Sequence, residues 1–189
     1  MPFNHFDIIA GLYNRMAKYN LPEHLLESFA LTPDCKLLDV GGGTGRVADV
    51  LQRRVKVVIV ADISRGMLRY AADKRLPVAN SPAEYLPFAS SSFDRIIMVD
   101  ALHHVHDQRQ TISELWRVLS PGGRIIIIEP DINKFAVKLM AFGEKILLMD
   151  SHFLTGDNIT ALFIDNDKRS KIFDYESDVW VYTEKEKKT

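Results

Sequence analysis

The sequence has one cysteine, Cys35, in 189 residues, so no disulfide forms within the chain and chemistry that needs paired thiols is closed to it. A lone cysteine also suits a reducing compartment. There is no excess charge of one sign: Lys plus Arg number 24 against 25 for Asp plus Glu. No global field therefore favours nucleic acid, and no local basic patch replaces it. Long hydrophobic runs are missing as well. The longest apolar region, residues 135–149, is broken by Lys138, Glu144 and Lys145, which makes it too short and too charged to span a bilayer. The opening "MPFNHFDIIAGLYNRM" has no basic flank before an apolar stretch and does not read as a secretory signal. These absences lead to the expectation of a cytoplasmic protein with no nucleic-acid partner and no stable membrane insertion. The charged tail "TEKEKKT" reads as a solvated end.

What is present is one domain's worth of chain, with enough apolar residues to build a core without staples. Short β-branched runs alternate with stretches of helical length, the pattern of a parallel sheet covered on both faces. The runs are "KLLDV" (36–40), "KVVIVA" (56–61), a weak "PVAN" (77–80), "FDRIIMVD" (93–100) and "RIIIIEP" (124–130). Ser64 and Asp107 are placed to cap the intervening helices, and Pro121-Gly122-Gly123 predicts a turn before the fifth strand. Later, "LTGDNITALFI" reads as a short helix and "KIFDYESDVWVYTEK" as two strands joined near Glu176-Ser177. The expected fold is α/β: a Rossmann-like, mostly parallel sheet of seven strands, helices on both faces, closed by an antiparallel C-terminal hairpin.

The glycine loop in "KLLDVGGGTGR" carries the chemistry. A nucleotide-hydrolase loop needs Lys and then Ser or Thr after its last glycine, whereas Gly45 is followed by Arg46 and Val47. The dinucleotide fingerprint spaces its glycines GxGxxG, whereas Gly41, Gly43 and Gly45 are spaced GxGxG. Asp39 precedes the turn at the end of the first strand. A carboxylate there repels a pyrophosphate and favours an ammonium or sulfonium. Asp62, at the end of the second strand, is placed to accept from two ribose hydroxyls. A ribose together with a cation is what S-adenosylmethionine supplies.

With "ADISRGML", "AEYLPFASSSFDRIIMVDALHHVHD" and "ISELWRVLSPGGRIIIIEP" in the same order, the chain resembles the class I S-adenosylmethionine-dependent methyltransferases. Within them it is most similar to the small-molecule branch that includes ubiquinone and menaquinone biosynthesis C-methyltransferases. The resemblance implies that Gly41, Gly42, Gly43 and Gly45 let the backbone approach the methionine part of the cofactor, with Asp39 near its amino group. It implies that Asp62 holds the ribose, that Ile63 and Met67 flank the adenine, and that Ala83, Glu84, Asp100 and Ala101 complete the cofactor site. Where the family has an acid before the Ala-Glu pair, this chain has Pro82. The resemblance further divides the single domain into an N-terminal helical lid (1–30) carrying Tyr13 over the cofactor, a cofactor-binding core (31–130), and substrate-shaping helices with the closing hairpin (131–189). The tyrosine is equally explained by an apolar helix face shared with Phe6, Ile9 and Leu12.

"DALHHVHD" places His103, His104 and His106 on the loop after the fourth strand. His103 or His104 is the candidate general base, set against a loop histidine bonded only for structure. A metal site with Asp107 needs converging side chains that consecutive residues do not offer, so none is assigned. Residues 135–149 have more apolar residues than one helix face needs, which suits a roof over an apolar acceptor or a homodimer seam. The expected activity is methyl transfer from S-adenosylmethionine to a small apolar or amphipathic acceptor, leaving S-adenosylhomocysteine. The alternative is a methyltransferase-like protein that binds the cofactor without conventional activity, which Pro82 and the clipped "DNDKRS" segment would support.

Overall fold

In the computed structural model, which describes residues 26–27, 29–134, 152–164 and 168–187, each β-branched run becomes a strand. The order is β1 (Lys36–Val40), α1 (Arg46–Leu51), β2 (Val57–Asp62), α2 (Arg65–Asp73), β3 (Val78–Asn80), β4 (Phe93–Val99), α3 (Gln108–Val118), β5 (Leu119–Pro130), α4 (Gly156–Leu162), β6 (Lys168–Tyr175) and β7 (Asp178–Lys185). They form one seven-stranded sheet ordered β3-β2-β1-β4-β5-β7-β6. Strands β1 to β5 pair in parallel, and β7 pairs antiparallel with both β5 and β6. The chain winds outward from β1 to β3 and then returns to β4. The gap beyond the carboxyl ends of β1 and β4 is therefore the switch point where such sheets open a crevice.

Alternate residues of each strand face opposite layers. Leu38, Val40, Ile96, Met98, Ile125 and Ile127 enter one buried cluster, while Leu37, Val58, Val60, Ile97, Ile126 and Ile128 enter the other. Both faces are covered, so the four isoleucines of "RIIIIEP" are all fully buried and the run shows no polar alternation. Ser64 and Asp107 cap their helices as expected, accepting from the N–H of Met67 and Gln110. Thr155 caps α4 in the same way.

One boundary differs. The expected turn at Pro121-Gly122-Gly123 lies inside β5, which begins at Leu119. Phe93 pairs with Leu119 and Arg95 with Arg124, so the extra residues bulge out of a ladder that continues on either side. Gly122 takes φ +80°, and a Cβ on Gly123 would lie 2.8 Å from the Ser120 carbonyl, which is why glycines occupy the bulge. The hairpin turns at Glu176-Ser177. Its strand β7 lies against β5 from Arg124 opposite Glu184 to Pro130 opposite Asp178, leaving β6 at the edge.

Of the segment 1–30, Leu26 and Phe29 are described and buried, with Phe29 edge-on to Trp180 at 6.1 Å between ring centroids. Tyr13, the remainder of the proposed lid, the apolar stretch 135–149 and residues 165–167 of the clipped segment lie outside the described residues.

Candidate functional site

A cavity of about 630 Å³ opens at the switch point, with Asp39, Gly41, Gly42, Gly43 and Asp62 along one wall. Asp39 ends β1 at 1% exposure. Among the described residues its Oδ2 has no hydrogen-bond partner. Burial pushes its carboxyl up to about 7; the nearby Arg46 charge opposes the shift and Asp62 adds to it.

The glycines hold the turn around this acid. A Cβ on Gly42 would lie 2.6 Å from the Asp39 Cγ, so any side chain there would drive the carboxylate aside. Gly41 takes φ +68°, and a Cβ on it would meet the Ala101 Cβ at 2.5 Å. That close approach binds the glycine turn to the loop after β4. Gly43 donates its N–H to Asp62 Oδ2 at 2.8 Å, and Ser64 donates to Oδ1 at 2.7 Å. Each oxygen keeps capacity for one more donor, which is what a ribose diol needs. Gly45 is the exception among the sequence-derived site residues. It lies off the cavity wall, and a Cβ there would be 2.5 Å from Leu76 Cδ1. Its role is to start α1 at φ +71° and let that helix sit close to α2.

Ile63, Met67, Ala83 and Glu84 line the cavity beside Pro82 and Tyr85. Glu84 Oε1 accepts from the N–H groups of His106 and Asp107 at 2.9 and 3.1 Å, tying this segment to the histidine loop. Asp100 and Ala101 face the cavity from the end of β4. Asp100 Oδ2 lies 2.5 Å from Arg46 Nη2, an ion pair that sequence reasoning missed. Its signal was the residue directly after the last glycine, which had served only to exclude a hydrolase loop.

The two candidate bases part company. His103 is 3% exposed and lies off the cavity wall. Its Nδ1 is 2.5 Å from Glu129 Oε2 and its ring stacks on Phe153 at 4.4 Å, so the structure withdraws it from catalysis and makes it part of the loop's internal support. Glu129 also accepts from the N–H groups of Ala101 and Leu102, at 2.9 and 2.8 Å. Its importance was not legible in sequence, because it closes a contact across 26 to 28 residues. His104 does line the cavity. Burial, with a smaller contribution from His103, pushes it down to about 3, so its imidazole is neutral and weakly basic. No group of three or more His, Cys, Asp or Glu side chains among the described residues is placed to hold a metal ion.

Comparison with known proteins agrees with this geometry. Residues 38–127 match the model of a family described as a methyltransferase domain. The chain is 33% identical over 132 residues to the ubiquinone/menaquinone biosynthesis C-methyltransferase UbiE of Laribacter hongkongensis, covering 65% of this chain and 52% of the relative. It is 38% identical over 138 residues to the demethylmenaquinone methyltransferase of Thermobifida fusca, covering 66% and 58%. The chain thus spans little more than half the length of these curated relatives. Among solved structures, a putative methyltransferase in complex with the Trm112 methyltransferase activator of Haloferax volcanii superposes with a TM-score of 0.83 at 15% identity, covering 98% of this chain and 100% of that one. An S-adenosylmethionine-dependent methyltransferase of Thermotoga maritima superposes at 0.76 and 20% identity, covering 96% and 98%.

The fold is the Rossmann-like fold of class I methyltransferases, and residues 38–127 form a methyltransferase domain within it. Within that class, the sequence resembles the ubiquinone and menaquinone C-methyltransferases.

Proposed function

We propose that the protein transfers a methyl group from S-adenosylmethionine to a small apolar or amphipathic acceptor. The observation that carries this reading is Asp39: a buried carboxylate with an unpartnered oxygen, facing a cavity beside a glycine turn. Such a group is costly unless a cation meets it, and the amino group and sulfonium of the cofactor are cations. The remaining wall suits the rest of the ligand. Asp62 offers two anchored carboxylate oxygens to a ribose, and Ile63, Met67 and Pro82 offer an apolar slot to a planar base. An anionic pyrophosphate finds no comparable welcome beside Asp39 and Asp62.

When bound, the cofactor supplies an activated methyl on a positively charged sulfur. The chain's own task is to fix the ligand and hold the acceptor in line with that methyl. Gly41 and Ala101 set how closely the two walls approach, and Glu129 holds the loop that carries Ala101. Neutral His104 on the wall can orient an acceptor hydroxyl or enol by hydrogen bonding. A small apolar acceptor follows from the surrounding Met98, Val99 and Val105 and from the quinone chemistry named for the sequence relatives.

Titration calorimetry with S-adenosylmethionine, S-adenosylhomocysteine and NAD tests the cofactor assignment. Binding of the two adenosyl compounds without NAD is expected, and binding of neither overturns the reading. Radiolabelled methyl transfer to a panel of quinols and phenols then tests the activity.

A further inference from the structure

The cavity is lined by four acids, Asp39, Asp62, Glu84 and Asp100. Among the described residues that line it, Arg46 is the one arginine or lysine. Its side chain is 16% exposed, and Nη2 lies 2.5 Å from Asp100 Oδ2. Asp100 is itself held in the left-handed region at φ +51° and donates its N–H to the Ile128 carbonyl at 2.9 Å. The guanidinium is also close enough to Asp39 to oppose the effect of burial on that carboxyl. The glycine turn thus carries an acid before it and a base after it, with both facing the same space.

We propose that Arg46 receives the carboxylate of the ligand's amino-acid end while Asp39 takes the ammonium, so that the cavity selects a zwitterion and not a cation alone. This rests on the methyltransferase reading above. A ligand carboxylate entering a wall of four acids is repelled unless a fixed cation meets it, and a guanidinium does so through paired, directional N–H donors. Asp100 is the positioning residue: it holds the guanidinium against the cavity and shares it with the incoming carboxylate.

The test compares two ligands that differ at the amino-acid end. S-adenosylhomocysteine carries the zwitterion; 5′-methylthioadenosine keeps the adenosine and thioether and lacks it. Calorimetry is run on the wild type, Arg46→Gln and Arg46→Lys. The expected result for Arg46→Gln is a loss of about 10- to 100-fold in S-adenosylhomocysteine affinity, the range for a hydrogen bond to a charged group, with methylthioadenosine affinity unchanged. Arg46→Lys falls between. Retained methylthioadenosine binding also shows that the variants are folded. Equal weakening of both ligands, or no weakening of S-adenosylhomocysteine, overturns the proposal alone. Failure of the wild type to bind either compound overturns the methyltransferase reading and the proposal with it.

Discussion

His103 Nδ1 lies 2.5 Å from Glu129 Oε2, and both side chains are at least 96% buried. The same carboxylate accepts from the backbone of Ala101 and Leu102. One residue at the end of β5 therefore sets the path of the loop that forms the far wall of the cavity. Replacing Glu129 with Ala leaves buried N–H groups and an imidazole without their acceptor, a loss of about 3 kcal/mol or more. Urea denaturation is expected to show that loss, with Glu129→Gln retaining part of it.

Asp39 predicts opposite responses to pH in the protein alone and in its complex. Its folded-state carboxyl is raised from 3.8 to about 7. The stability it contributes is therefore fully present below about pH 4 and is lost as pH rises through about 7. Binding of a cationic ligand needs the ionised form, so affinity rises over the same window and levels off above it. Calorimetry with S-adenosylhomocysteine from pH 5.5 to 8.5 is expected to show this rise. Asp39→Asn flattens it, lowers affinity about tenfold or more at pH 8, and raises the melting temperature of the free protein at that pH.

Gly45 and Gly42 separate stability from binding. Gly45→Ala puts a Cβ at φ +71° and 2.5 Å from Leu76 Cδ1, away from the cavity. The left-handed conformation alone costs about 1 to 2 kcal/mol. The melting temperature is expected to fall while affinity, measured where the protein is folded, changes little. Gly42→Ala instead displaces the Asp39 carboxylate and is expected to reduce affinity out of proportion to any change in stability.

His104 titrates near 3, below the physiological range. At saturating cofactor, turnover is expected to show no inflection between pH 5.5 and 7 from an imidazole. His104→Ala is expected to raise the acceptor KM more than it lowers kcat. A large fall in kcat with the loss of an acid limb from the pH profile would restore the role of general base.

The strand runs, the caps at Ser64 and Asp107, and the two acids that end β1 and β2 were legible in sequence because each is a local event. Periodicity, a capping hydroxyl or carboxylate, and a glycine that tolerates positive φ all act within a few residues. The bulge in β5 was not legible. Pro-Gly-Gly carries the same local preference whether it ends a strand or is carried out of one, and the pairing of Leu119 and Arg124 with β4 decides between them.

By itself, then, the sequence determined an α/β sheet, a glycine turn behind an acid, and the class of ligand such a turn favours. The tertiary structure alone decided which of two adjacent histidines faces the cavity, that Gly45 packs helices instead of lining the wall, and that Arg46 meets Asp100. The reason is range. Glu129 reaches His103 across 26 residues and Arg46 reaches Asp100 across 54, and no local preference encodes a contact that exists only when separate strands end side by side.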